Sequence, residues 1–225
     1  MNRWFVGLMA VLFIIQGCAF LSYEVFSTPE SEGASREREK GVFDHGGVVK
    51  GPDETIQFAL SGIGLSVGAR NFQEAGVSFG IFPLPVIPWP PGIIDIFYLP
   101  REAPPPLFIE IHLNPESEGF TLDPMRVTLV TSKKETINPV GFIGPVYAIR
   151  NIKKLKCQWD NTLKDNAQVI HLDQWTCFKL KFDIPASPEK NFSLSINGLE
   201  KAGEPVAVPE IHFKKGASWW LGVFP

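Results

Sequence analysis

Two short segments contain the side chains with the clearest capacity for chemistry. The tripeptide Glu-Ile-His occurs twice, once within "FIEIHL" and once within "PEIHFK". Alternate residues of a β-strand point to the same face, so each Glu shares a face with its His. If the two strands were neighbours, two carboxylates and two imidazoles could converge on zinc or another divalent metal. The alternative is that both pairs lie on solvent-facing strand surfaces. The candidate metal site comprises Glu110, His112, Glu210 and His212.

The cysteines offer a second kind of chemistry. The chain has three, at positions 18, 157 and 177. If Cys18 takes no part in a disulfide, Cys157 and Cys177 remain as an even pair. In an oxidising compartment such a pair predicts one disulfide. It would close a loop of about 20 residues and stabilise the fold by about 3 kcal/mol. The alternative is a pair of reduced core cysteines, and neither has a neighbouring CxxC or histidine pair that would indicate zinc.

The first seventeen residues have the composition of an export signal. Arg3 is followed by a stretch without charge over residues 4–15, and then by Gln16 and Gly17. This order is typical of a secretory signal peptide over residues 1–17. A membrane-spanning helix needs about 20 apolar residues and would have to accept Gln16 and Gly17 near its middle. A single-pass signal anchor is therefore the alternative.

The residues around Cys18 give the cysteine a role. The stretch Ile15-Gln16-Gly17-Cys18 resembles the lipobox of bacterial lipoproteins, with Gln16 in place of the usual small residue. The resemblance implies that residues 1–17 are removed and that Cys18 carries palmitate-type acyl chains. In enteric-type lipoproteins a residue other than Asp after the cysteine, here Ala19, goes with the outer membrane. The protein would then act at a membrane surface, to which its acyl chains hold it.

Composition excludes some functions and favours one fold class. The net charge is −3, and the chain has 20 prolines and 20 glycines. Without a basic stripe, nucleic acid is not expected as a partner. Frequent Pro and Gly favour a loop-rich β protein. The stretch "GIGLSVG" lacks the spacing of a dinucleotide fingerprint, and GxSxG and HExxH do not occur, so we predict no cofactor and no catalysis.

The residues after the proposed anchor are polar. Residues 24–53 contain the charge run "REREK" and several glycines. Such a segment buries too little apolar area to offset the entropy of ordering. The prediction is a lipid-anchored flexible tether over residues 18–53.

From residue 54 onward the apolar residues recur with period two. The clearest sets are Ile56-Phe58-Leu60, Ile63-Leu65-Val67, Val77-Phe79-Ile81, Met125-Val127-Leu129, Phe178-Leu180-Phe182-Ile184 and Phe192-Leu194-Ile196. Short alternating segments separated by Gly, Pro and Asn predict an all-β fold, a single antiparallel β-sandwich over residues 54–225.

Part of this region resembles a known domain type. The stretches "GFTLDPMRVTLVTSKKETINPV" and "WTCFKLKFDIPASPEKNFSLSI" are similar to the immunoglobulin-like, telokin-like domains of bacterial surface lipoproteins. The resemblance covers less than half of the chain and implies a fold and an extracytoplasmic location, without chemistry. It rests on Phe120, Leu122, Val127, Leu129, Leu180, Phe182 and Pro185.

A proline-rich segment is a possible interaction loop. Nine prolines occur between Pro83 and Pro106, which predicts a stiff, extended connection at a sheet edge. Val86, Ile87 and Trp89 could engage a membrane or a partner. Alternatively, the loop is laid across the end of the sandwich, since a large exposed apolar patch is a liability unless it is used.

The sequence thus predicts a lipid-anchored cell-envelope protein that acts as a non-catalytic structural or interaction module. Its expected partners are the membrane, through the N-terminal lipid, and an envelope protein whose identity no motif indicates. The alternative is a periplasmic protein that binds a ligand or a metal through the Glu and His residues of the two strands. This alternative includes a hydrolytic enzyme that uses the same residues.

Overall fold

The structure, a computed structural model, divides the chain into two compact units. It describes residues 18–39, 42–44, 47–50, 53–71, 73–79, 106–151, 154–160, 162–166, 168–188 and 190–224. Unit 1 comprises Met1–Val25, Gln73–Arg101 and Ala217–Pro225, and unit 2 comprises Phe26–Phe72 and Glu102–Gly216. The predicted signal peptide, residues 1–17, lies outside the described residues. Within the described part of the chain, no helix has the length and apolar character needed to cross a membrane.

The described residues form β-strands and one short 3-10 helix, Pro124–Arg126. The strands are β1 Cys18–Glu30, β2 Ser35–Glu39, β3 Val42–Asp44, β4 Gly47–Lys50, β5 Asp53–Leu60, β6 Ile63–Arg70, β7 Gln73–Phe79, β8 Leu107–Pro115, β9 Phe120–Leu122, β10 Val127–Thr131, β11 Thr136–Ile137, β12 Gly141–Asn151, β13 Lys154–Cys157, β14 Leu163–Lys164, β15 Ile170–Leu172, β16 Thr176–Phe182, β17 Phe192–Ile196, β18 Leu199–Lys201, β19 Glu204–Pro205 and β20 Ile211–Phe224.

Unit 2 contains two large antiparallel sheets that share one core. The larger sheet has the order β13-β12-β16-β8-β6-β5-β2, with β14 also paired to β12. The second has the order β11-β10-β17-β20-β1 within this unit, and β15-β9-β18-β19 form a short third sheet. Strands from all three sheets supply one hydrophobic cluster, in which Ile111, Phe178, Leu122 and Phe213 are almost completely buried. The predicted all-β sandwich is confirmed, whereas its immunoglobulin-like character stays a prediction.

The period-two sets of the sequence supply this core. In β6, Ile63, Leu65 and Val67 are buried, and in β16 the same holds for Phe178 and Leu180. Each strand therefore has a core face and an outer face, where the outer face of a sheet is the one turned away from the shared core.

A tight turn fixes the register of the strands that carry the site described below. Strands β5 and β6 are joined by Ser61 and Gly62, and Leu60 pairs with Ile63 across the turn. Gly62 has φ +79°, a left-handed conformation that glycine adopts without a steric penalty. Because Ile63 faces the core, Arg70 at the far end of β6 falls on the outer face by alternation.

The expectation of a flexible tether over residues 18–53 is wrong for the described part of that segment. Residues Val25–Pro29 of β1 are buried, and the Asn71 side chain donates to Ser27 Oγ at 2.7 Å. Strand β2 pairs with β5 from Ser35↔Gln57 to Glu39↔Asp53. A strand of charged residues is possible here because β2 lies at the edge of its sheet. At an edge, charged side chains remain in water and discourage pairing with a further strand.

Strands β3 and β4 pair with each other in unit 2, and unit 1 contains β7, the first part of β1 and the last part of β20. Strand β7 pairs antiparallel with the first part of β1, from Ala19↔Phe79 to Val25↔Gln73. The last part of β20 runs through the C-terminal stretch and ends at Phe224. The proline-rich segment up to residue 105 lies outside the described residues.

Candidate functional site

A cluster of polar and sulfur-containing side chains lies on the outer face of the eight-stranded sheet. Its three central strands are neighbours, since β8 pairs with β16 on one side and with β6 on the other. In β8, Ile109 and Ile111 enter the core, which turns Glu110 and His112 to the outer face. Glu110 is nevertheless only 6 % exposed. A carboxylate at that depth needs partners, because burying an unpaired charge is costly.

Two hydrogen bonds supply those partners. Arg70 Nε lies 2.6 Å from Glu110 Oε2, and His112 Nε2 lies 2.7 Å from Glu110 Oε1. Burial by itself raises the pKa of Glu110, but the hydrogen bonds and charges of His112 and Arg70 outweigh it and lower that pKa to about 2. Glu110 is therefore ionised, and the Nε2 atom of His112 acts as the donor to it.

Another basic side chain, that of Lys179, faces Glu110 from the neighbouring strand. Lys179 of β16 is directly opposite Glu110 in the ladder. Its Nζ lies 4.1 Å from the centre of the Trp159 ring, a cation–π contact. Burial lowers the pKa of Lys179, the charge of Glu110 opposes this change, and the charge of Arg70 adds to it. The residues that follow β13 thus cover part of this face.

The predicted disulfide between Cys157 and Cys177 is present beside this cluster. The two Cα atoms are 6.2 Å apart. Strands β13 and β16 flank β12 on opposite sides, and strands separated by one neighbour are about 10 Å apart in a flat sheet. The shorter distance means that the β12–β13 hairpin curls over the outer face.

The disulfide lies next to the imidazole of His112. Cys177 is directly opposite His112 in the β8–β16 ladder, and Cys157 Sγ is 3.7 Å from His112 Nε2. Within the described residues, the ligand atoms of His112, Cys157 and Cys177 all lie within 4.8 Å of one another. One sulfur, that of Cys177, belongs to a fully buried residue, whereas Cys157 is half-buried.

The structure does not bring the second Glu-Ile-His segment to this site, so the predicted four-residue metal site is wrong. Ile211 and Phe213 of β20 enter the core from the opposite sheet, which turns Glu210 and His212 to the other side of the sandwich. Their side chains are 50 % and 53 % exposed. The two pairs could not converge because each occupies the outer face of a different sheet.

A Ser-His-Glu set occurs around His212, but its geometry is that of a surface contact. Ser193 Oγ lies 2.8 Å from His212 Nδ1, and His212 Nε2 lies 4.0 Å from Glu210 Oε2. Ser193 and His212 are directly opposite in the β17–β20 ladder. A nucleophilic triad requires an acid that is held against the imidazole, and this half-exposed carboxylate is beyond hydrogen-bond distance.

The structure gives no side-chain information for two predicted site elements. Val86, Ile87 and Trp89 belong to the part of the chain that is not described. Cys18 is described only through its backbone, as the first residue of β1. The roles expected of these residues stay predictions.

Sequence reasoning missed Arg70, Lys179 and Trp159. A signal was present for two of them, since Arg70 and Lys179 occupy outer-face positions of strongly alternating strands. That signal does not say which strands are neighbours, so the convergence of these cations on Glu110 could not be foreseen.

Comparisons with known proteins give no identification. No protein-family model matches the chain, and neither a curated protein nor a solved structure matches it.

Proposed function

We propose that this protein is exported, lipid-anchored in the bacterial cell envelope, and acts there as a non-catalytic structural or interaction module. The observation that carries the proposal is the Cys157–Cys177 disulfide. Disulfides persist in oxidising compartments and are rare where thioredoxin and glutathione keep thiols reduced. The disulfide therefore supports the export that the first seventeen residues predict.

The position of Cys18 at the start of β1 determines which part of the fold the lipid would be attached to. Cys18, the predicted site of acylation, is the first residue of that strand. The lipid would then be attached directly to a strand, without the long flexible tether expected from composition. Acyl chains contribute about 0.8 kcal/mol per buried methylene, so several of them would hold the strand at the bilayer.

A structural role fits the polar cluster better than a catalytic role does. Glu110 is ionised and already bonded to Arg70 and His112, so its interactions are internal to the fold. In the Ser193-His212-Glu210 set, the acid lies 4.0 Å from the imidazole and half in solvent. A second candidate function, metal binding, is favoured by one observation, the imidazole of His112 beside two cysteine sulfurs, which become metal ligands only when their disulfide is reduced.

The anchor is tested by substitution in a bacterial host that is fed an alkyne-tagged fatty acid. The full-length protein is expected to take up the label and to fractionate with membranes. Cys18→Ala is expected to lose the label and leave the membrane fraction. The double variant Cys157→Ala/Cys177→Ala is the matched control, because it removes two cysteines and should keep the label. An unlabelled Cys18→Ala protein that still behaves as an integral membrane protein would establish the signal anchor instead.

Two further measurements address export and the absence of catalysis. Alkylation of the cell-derived protein without reductant should leave Cys157 and Cys177 unmodified, since both are expected in the disulfide. Free thiols at both positions would remove the main support for export. Hydrolysis of a simple nitrophenyl ester that disappears in Ser193→Ala would contradict a non-catalytic role.

A further inference from the structure

The disulfide and the imidazole beside it have the composition of a zinc site in a different redox state. Zinc is bound by cysteine thiolates and histidine nitrogens, and three protein ligands with one open position are a recurring arrangement. The sulfur atoms of Cys157 and Cys177 and the Nε2 atom of His112 lie within 4.8 Å of one another. As a disulfide the sulfurs are not metal ligands, because the thiolate is the ligand form.

We infer that reduction of the Cys157–Cys177 disulfide creates a Zn²⁺ site whose protein ligands are Cys157, Cys177 and His112. The disulfide takes up two electrons and two protons from a dithiol reductant, which is itself oxidised to a disulfide. Zn²⁺ then displaces both thiol protons, and His112 presents Nε2 once its proton has moved to Nδ1 or to solvent. The disulfide and the bound metal therefore exclude each other.

The distances fit a tetrahedral ion after a small movement. With Zn–S near 2.3 Å and Zn–N near 2.0–2.1 Å, the sulfur and nitrogen ligands of one ion lie about 3.6 Å apart. The distance from Cys157 Sγ to His112 Nε2 is 3.7 Å. The two sulfurs must part to about 3.8 Å, roughly 2 Å more than in a disulfide. Rotation of the cysteine side chains can supply that change while the Cα atoms stay 6.2 Å apart.

Binding of Zn²⁺ would leave the net charge of the site unchanged. Two thiolates cancel the charge of Zn²⁺, so the loaded site has the same net charge as the disulfide with a neutral imidazole. The ion pair between Glu110 and Arg70, and Lys179 opposite it, would experience no added net charge. Binding at Nε2 replaces the 2.7 Å hydrogen bond from His112 to Glu110 Oε1, so this carboxylate must turn away from the ion while it keeps its bond to Arg70.

The site differs from the one expected from sequence. Half of that expectation, Glu110 and His112, lies at the inferred site, while Glu210 and His212 are replaced by the two cysteines. The inference stands independently of the lipid anchor, because it depends only on side chains of unit 2.

The test uses the full-length chain in detergent with Cys18→Ser, so that only the two relevant thiols remain. The protein is reduced with a phosphine, freed of reductant under nitrogen and titrated with Co²⁺ alone. We expect one Co²⁺ per chain, with visible bands of tetrahedral Co²⁺ and a near-ultraviolet thiolate charge-transfer band. One equivalent of Zn²⁺ should displace the Co²⁺, and the oxidised protein should give neither signal.

The chain provides a matched pair of histidine variants. His112→Gln should weaken Zn²⁺ binding about tenfold or more, by analogy with the losses seen when even a supporting residue is removed. His212→Gln changes the same residue type in the same tripeptide on the opposite sheet, and should leave the affinity unchanged. His112→Cys should restore tight binding, which separates the loss of a ligand from a loss of folding.

Two results would overturn the inference. One is reduced protein, folded by circular dichroism, that shows no thiolate-to-Co²⁺ band. The other is equal Zn²⁺ affinity of His112→Gln and His212→Gln. Either would mean that the sulfurs and the imidazole are neighbours without a metal-binding function.

Discussion

Glu110 and His112, two residues apart on β8, are joined by a hydrogen bond of 2.7 Å between Oε1 and Nε2 on the outer face of the sheet. Residues at this spacing share a strand face, so the local sequence alone permits the contact. The depth at which it occurs comes from the neighbouring strands and from the segment that follows β13. At this depth the hydrogen bond is electrostatically stronger than it would be in water, so it contributes to the stability of the fold.

The Glu110 carboxyl makes the stability of the fold depend on pH. Its pKa falls from 4.5 to about 2 on folding, so it stabilises the protein above pH 4.5 and loses that contribution as the pH falls towards 2. Between pH 7 and pH 3 we expect the wild type to lose about 2 kcal/mol of unfolding free energy that Glu110→Gln does not lose. Urea unfolding at the two pH values measures the difference.

The control for this prediction is Glu210→Gln. It makes the same change in the other Glu-Ile-His segment, where the side chain is half exposed. It should follow the pH dependence of the wild type. If Glu110→Gln does so as well, the carboxyl is not held ionised by Arg70 and His112.

Substitution of Arg70 should lower the free energy of unfolding much more than substitution of Arg126. Arg70 pairs with the buried Glu110, and its loss leaves a buried charge with one partner fewer, which we expect to cost about 3 kcal/mol. Arg126 pairs with Glu200 at 2.8 Å on the surface, and a pair of that kind contributes about 1 kcal/mol or less. Denaturant midpoints of Arg70→Gln and Arg126→Gln give the comparison, and equal midpoints would contradict it.

The disulfide should contribute through the unfolded state. The cysteines are 20 residues apart, and closing a loop of that size is worth about 3 kcal/mol in the chain-entropy account. The double variant Cys157→Ser/Cys177→Ser should lose about that much in urea unfolding. Wild-type protein that has been reduced and alkylated should match it, and a loss below about 1 kcal/mol would show that the cross-link restrains little.

Gly144 should tolerate no side chain, because backbone from a neighbouring strand approaches it. It has φ +113°, and a Cβ atom there would lie 2.7 Å from the carbonyl oxygen of Cys177. Gly33 also has a positive φ, +71°, but nothing lies within 4 Å of a Cβ placed on it. Gly33→Ala should therefore cost about 1 kcal/mol from backbone strain alone.

Gly144→Ala adds the clash and should cost about 3 kcal/mol or more. Thermal unfolding of the two alanine variants measures the difference. Equal melting temperatures would mean that β12 can move away from β16 at this point without loss.

Several features of the fold were predictable because they depend on local periodicity. The alternation of Ile63, Leu65 and Val67 predicted β6 and its core face, and the spacing of Phe178, Leu180 and Phe182 did the same for β16. The pairing of Cys157 with Cys177 followed from counting cysteines. Composition failed over residues 18–39, where an average over polar residues concealed buried positions in β1 and the pairing of β2 with β5.

The sequence by itself determined which side chains share a strand face, since alternation is a property of each strand alone. That is sufficient to place Glu110 and His112 on one face of their strand, and likewise Glu210 and His212. Only the tertiary structure decided which strands are neighbours. It placed the two Glu-Ile-His segments on opposite outer faces, and it brought Arg70, Lys179 and the two cysteines to the first of them. The order of strands in a sheet depends on contacts between residues far apart in the chain, which local spacing does not encode.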